Sequence, residues 1–302
     1  MSKIFCKELN KHFDDKKELF KELVDNMDTI IAAKKATIKF ADGIGYSYSL
    51  VDNAGAVIKA YGQTNKSEIP MDAKELNVIA VINTTNWLDS HGDCHQDGCW
   101  TKTAKENKSI MHLQEHECKF DKIISDGADL KASVVKYAWK DLGVELLGYT
   151  EALQFNSNVK KSRNPFMFDQ YKDGHVKNHS VGMVYVKISA CIQTSDPEFS
   201  IYNDNWEKYY PTIANIKDFP NLTYFWAVTE AKAFEGSAVP IGSNTATPTQ
   251  EVSAKNNDNE AADSTSKTIT TEPPQGTQME VPKPKMDYKA MAQSIKNNLK
   301  NN

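Results

Sequence analysis

From residue 36 to residue 192 the chain is dominated by short β-branched or aromatic runs: ATIKF, GYSYSLV, AVIKAYG, NVIAVINTT, SIMHLQEH, LKASVVKYAW and VGMVYVKISACI. Gly, Asn and Asp stand between many of them. Side chains of this kind pack well on a pleated surface, and the turn-formers between them end each run. Many short strands with few long helices predict a mainly β (α+β) fold closed, or nearly closed, into a barrel with flanking helices. Two segments stay open: GDCHQDGCWTKTAKENK starts as a Gly-rich loop with room for a short helix near residues 100–107, and LGVELLGYTEALQFN suits either strand or helix.

The flanks differ in texture. Phe20, Leu23, Val24, Met27, Ile30 and Ile31 recur at three- and four-residue intervals among charged residues, which predicts an amphipathic helix within residues 1–34. A folded domain over 35–245 follows. After Asn244 the composition turns to Thr, Ser, Asn, Asp, Pro and Gln, with too little apolar surface to offset the entropy of ordering, so residues 246–285 are expected to be a disordered linker. Tyr288, Met291, Ile295 and Leu299 then predict a short amphipathic tail helix at 286–302, docking on a partner or on the protein's own core.

Charge and hydropathy remove several classes of function. Thirty-six Lys and Arg against 40 Asp and Glu leave a net charge of -4, with no positive excess for nucleic acid or anionic lipid. No run approaches the roughly 20 apolar residues of a membrane span, and the start, MSKIFCKELNKHFDDKK, lacks a secretory apolar core. A cytoplasmic protein without a membrane partner is expected. Five cysteines at irregular spacing imply reduced thiols.

Histidines pair at four-residue spacing as His91/His95, His112/His116 and His175/His179. On a helix such a pair chelates zinc, but on a strand the two are about 13 Å apart. A loop site from His91, Cys94, His95 and Cys99 is the surviving zinc-binding alternative. Nucleophilic catalysis needs instead a hydroxyl, an imidazole to take its proton, and a group that holds the imidazole tautomer. Ser180 opens an apolar strand after the Lys172-Asp173-Gly174 turn, and Gly182 leaves room for a close backbone approach. His116 ends the run SIMHLQEH. His179 should face away from the Ser180 hydroxyl, because neighbouring strand residues alternate in direction. Asp89 and Asp93 of DSHGD suit turn-fixing better than catalysis.

Three motifs in order resemble the prohead proteases of tailed bacteriophages, a serine protease family related to herpesvirus assemblin. They span roughly residues 75–247. NTTNWLDSHGDCHQDGCWTKTAKEN followed by IMHLQEH is similar to the family segment that ends in the catalytic histidine, which maps to His116. GHVKNHSVGMVYV resembles the nucleophile segment and maps to Ser180, with Met183 where an aromatic is often found. VTEAKAFEGSAVPIGSNTATP resembles the family's Glu-x-Ser-x-Val segment and maps the third member to Glu235, with Glu230 and Asp93 as rivals.

The resemblance implies an assemblin-like barrel and a serine endopeptidase without a cofactor. It implies action on major capsid and scaffold proteins, and on the protease itself, in the host cytoplasm inside the assembling prohead. Self-association as a homo-oligomer is compatible with it, and a catalytically inactive scaffold or head-assembly protein with the same fold is the alternative.

Overall fold

A computed structural model of the chain describes residues 4–36, 39–40, 65–106 and 109–255. The first of these segments is more than one helix. A hairpin of β1 (Ile4–Cys6) and β2 (Lys11–Phe13) precedes α1 (Lys16–Asp25) and α2 (Met27–Ala36). The Asp15 carboxylate accepts the N–H groups of Lys17 and Glu18 and so starts α1. Asn26 ends it, returning both its backbone and side-chain N–H to the Glu22 carbonyl. The expected helix at residues 1–34 is therefore corrected to a hairpin and two helices. Their apolar faces bury Leu19, Phe20, Leu23, Met27 and Ile30, in line with the spacing.

The body is mixed α and β with strands predominating. One sheet has the order β4 (Asn65–Lys66), β13 (Thr249–Ala254), β5 (Glu75–Thr84), β10 (Tyr149–Lys160), β9 (Leu130–Ala138). The other runs β3 (Lys39–Phe40), β11 (Asn178–Ile192), β12 (Tyr224–Val239), β7 (Met111–Gln114), β8 (Ile123–Asp126), with β6 (Asp93–His95) also on β12. Among the described strands both sheets are open. Alternation along β5, β10, β11 and β12 turns Leu76, Val78, Ala80, Ile82, Leu153, Phe155, Val181, Met183 and Ala233 into one shared core.

Of the segment left open at LGVELLGYTEALQFN, residues 149–156 are strand, the start of β10, and residues 142–148 are not; the short helix near residue 100 is α3 (Thr101–Glu106). The turn at Lys172-Asp173-Gly174 is the end of α4 (Pro165–Asp173), where Gly174 takes the left-handed conformation at φ 77°. Helix α5 (Ser200–Tyr209) lies against β11 and buries Trp206. No helix among the described residues is long and apolar enough to cross a membrane.

The expected linker boundary needs a second correction. Residues 246–255 are part of the fold: β13 pairs antiparallel with β5, and Ala246, Thr247 and Thr249 are buried. Their polar composition concealed this, because the hydroxyls are satisfied internally. Thr247 donates to the His179 carbonyl and Thr249 to that of Val176. The rest of the expected linker, the tail helix, and the runs GYSYSLV and AVIKAYG lie outside the described residues.

Candidate active site

β12 runs between β11 and β7, and its register sets the site. Ser180 stands opposite Ser237, and Gly182 opposite Glu235. Directly opposed residues of an antiparallel pair share a face, as do residues two apart on one strand. Ser180, Gly182, Glu235 and Ser237 therefore occupy one face of the sheet. On the far side of β12, β7 runs parallel to it with Leu113 opposite Ser237, and the chain turns immediately afterwards.

That turn carries His116. Glu115 and His116 both have left-handed backbones, at φ 52° and 60°, a conformation that costs a non-glycine residue roughly 1–2 kcal/mol. Three hydrogen bonds hold it: Glu115 N–H to the Ala238 carbonyl, His116 N–H to Ser237 Oγ, and Glu117 N–H to the Gln114 carbonyl. His116 thus lies just past the strand end rather than in it, and the strain aims its ring back across β12. Paired outliers of this kind cluster at functional sites.

His116 Nδ1 is 2.7 Å from Glu235 Oε1. The other carboxylate oxygen accepts from Ser237 Oγ at 2.5 Å. Ser237 therefore closes a ring, accepting from the His116 backbone and donating to the carboxylate that holds the His116 ring. Its part was hidden in the sequence, although Glu-x-Ser spacing on one strand is a signal that the two side chains share a face. The carboxylate lies over Gly182: a Cβ there would sit 2.0 Å from Glu235 Oε1. The room above Gly182 is occupied by the acid and is not open to substrate backbone.

Ser180 is 2% exposed, and its Oγ has no hydrogen-bond partner among the described residues. With the Nδ1 proton of His116 directed at a carboxylate, a neutral His116 ring has its basic nitrogen at Nε2, and no hydrogen bond joins that nitrogen to Ser180 Oγ. His179 turns to the opposite face, where its Nδ1 donates to the Thr247 carbonyl.

The two rival acids go elsewhere. Glu230 pairs with Lys187 at 2.7 Å and Lys102 at 3.3 Å, and the hydrogen bonds from these lysines hold its carboxyl below the usual range. Asp93 is buried, with Lys34 at 2.8 Å and the Tyr185 hydroxyl at 2.7 Å. Burial works to raise its carboxyl, but Lys34 and Tyr185 outweigh it and hold it low. Of the two aspartates expected to fix the turn, Asp89 does so, accepting from the His91 and Asp93 N–H groups, whereas the Asp93 side chain is taken up by Lys34 and Tyr185. Burial and the charge of Asp93 push the Asp89 carboxyl up to about 7.

The zinc alternative has no such convergence. His91 Nδ1 lies against Lys7 Nζ at 2.8 Å, while Cys94 sits in the core beneath α5 with Cys191 and Trp206. His95 stacks on Trp100, its conjugate acid pulled down to about 4 by burial, and Cys99 is in the main core. No group of three or more His, Cys, Asp or Glu among the described residues is placed to hold a metal ion.

No protein-family model, curated protein or solved structure matches the chain.

Proposed function

We propose that this chain is a serine endopeptidase of the prohead-protease kind, assemblin-like in architecture, that trims capsid and scaffold proteins and itself during head assembly. The observation that carries the reading is the 2.7 Å contact between His116 Nδ1 and Glu235 Oε1 on the sheet face that carries Ser180. In the reaction, Glu235 keeps the His116 proton on Nδ1, so Nε2 accepts the proton of Ser180 as Oγ attacks the scissile carbonyl. An acyl-enzyme forms, His116 returns the proton to the leaving amine, and water releases the product. No cofactor enters the scheme.

The Ser180 hydroxyl is buried and has no hydrogen-bond partner among the described residues, so it is not engaged with His116. Catalytic hydrogen bonds tighten on substrate binding in many enzymes, and peptide entry would have to open this face. The same burial favours the second reading, a head-assembly protein that keeps the fold without cleaving.

Intact-mass analysis separates the two. Wild type and Ser180→Ala are each co-expressed with the cognate capsid and scaffold proteins and sampled over time. Trimmed capsid or self-processed fragments from wild type alone are expected. Identical masses from both would remove Ser180 as nucleophile and leave the assembly role.

A further inference from the structure

Beneath the sheet face just described lies a second buried chain of polar side chains. His112 Nδ1 meets Ser157 Oγ at 2.8 Å, and His112 Nε2 meets the Tyr171 hydroxyl at 3.0 Å. The same hydroxyl meets His179 Nε2 at 3.0 Å, and His179 Nδ1 meets the Thr247 carbonyl at 3.1 Å. His112, Ser157, Tyr171 and His179 are each at most 1% exposed.

Chemistry gives this chain one direction. The Thr247 carbonyl can only accept, so His179 carries its proton on Nδ1 and, being neutral, accepts at Nε2. Tyr171 must then donate to His179 and accept from His112 Nε2–H. That leaves His112 Nδ1 as an acceptor, and Ser157 donates to it. Every polar atom in the line is satisfied in one arrangement with both rings neutral, the state that burial favours for each.

The placement ties the chain to the site. His179 directly precedes Ser180, and His112 lies on the strand that delivers His116. Between them on β12, at the positions opposite His112 and His179, are Gly236 and Ala238. These small residues alternate with Glu235 and Ser237, so each pair faces away from the other. The ring centroids of His112 and His179 are 5.9 Å apart, with Tyr171 reaching both from α4.

We propose that Tyr171 is a positioning residue for this site: its hydroxyl, by bonding His112 and His179 together across β12, holds the strand that leads into the His116 turn and the strand that bears Ser180 in working register. The inference rests on the protease reading above.

The test uses the full chain and cleavage of its cognate capsid precursor over a range of precursor concentrations, for wild type, Ser180→Ala, Tyr171→Phe and Ser157→Ala. Circular dichroism fixes a temperature at which each variant is folded. Tyr171→Phe is expected to lower kcat about ten- to hundredfold with KM within about twofold, since small misplacements at a reacting centre are felt in the chemical step. Wild-type kcat in folded Tyr171→Phe would overturn the proposal and reduce the chain to a stability element. If Tyr171→Phe does not fold, Ser157→Ala decides, a severalfold fall in kcat supporting the proposal and an unchanged kcat overturning it. Nitrogen-15 spectra of wild type must also show His179 protonated on Nδ1 and His112 on Nε2, and the reverse tautomers would sink the chain as described. Cleavage in neither wild type nor Ser180→Ala would instead remove the protease reading itself, an outcome distinct from all of these.

Discussion

Glu235 Oε1 stands 2.0 Å from the point where Gly182 would carry a Cβ, so the acid that holds His116 occupies the space of the missing side chain on the neighbouring strand. Gly182→Ala therefore cannot leave the carboxylate in place. The atoms in conflict are the carboxylate end of a flexible side chain, so the backbone can absorb the change, but the displaced acid is buried and loses its His116 and Ser237 partners, which should cost about 1–3 kcal/mol. Cleavage should fall by at least about tenfold as the His116 contact is lost. A urea melt and a cleavage rate on the same preparation check both halves.

Gly236→Ala should act on the core packing rather than on the acid. A Cβ there would meet Phe155 Cε2 at 2.6 Å and Ile82 Cγ2 at 2.7 Å, both packed in the core between the sheets. Overpacking of this kind costs roughly 1–3 kcal/mol, and the melt should show it.

Glu235→Gln keeps the shape of the acid but removes its charge and allows the amide to present a donor to His116 Nδ1. The tautomer needed for proton transfer from Ser180 would be lost, and kcat should drop by roughly 10³–10⁴-fold with the melting curve little changed. An activity equal to wild type would remove Glu235 as the group that holds the His116 tautomer.

Lys34→Met should be among the most damaging single changes away from the site. Lys34 bonds Asp93 at 2.8 Å and lies 3.6 Å from Glu8 and 4.8 Å from the Trp226 ring centroid, with only 10% of its side chain exposed. Removing the cation strands a buried carboxylate, a loss of about 3–5 kcal/mol that denaturant unfolding would register. The double variant Lys34→Met, Asp93→Asn should recover part of it.

Stability should respond to pH through two groups of opposite sign. His95 and His179 have conjugate acids pulled down to about 4 by burial, below their unfolded value. Their contribution is complete above about pH 6.5 and is lost as pH falls toward 4, because only the unfolded chain takes up the protons. Asp89 is raised to about 7, so the unfolded chain releases its proton first and stability declines as pH rises from about 4 to 7. Asp89→Asn keeps an acceptor for the His91 and Asp93 N–H groups and should remove that decline. Urea midpoints from pH 4 to 8 for both proteins check it.

What the sequence alone carried was whatever local period encodes. Alternation along VGMVYV and spacing from Phe20 to Ile31 showed which way side chains face, and strand alternation already turned His179 away from Ser180. The Glu-x-Ser order carried a candidate acid, Glu235, but periodicity cannot say which strand lies beside which. That Glu235 reaches His116 while Asp93 goes to Lys34 depends on pairings between residues 119 and 59 positions apart. The same holds for the polar stretch at Thr247–Ala254, which composition read as linker and which β5 and β11 recruit by hydrogen bonds. Burial with a satisfied partner stabilises even polar residues, and only the tertiary structure supplies the partner.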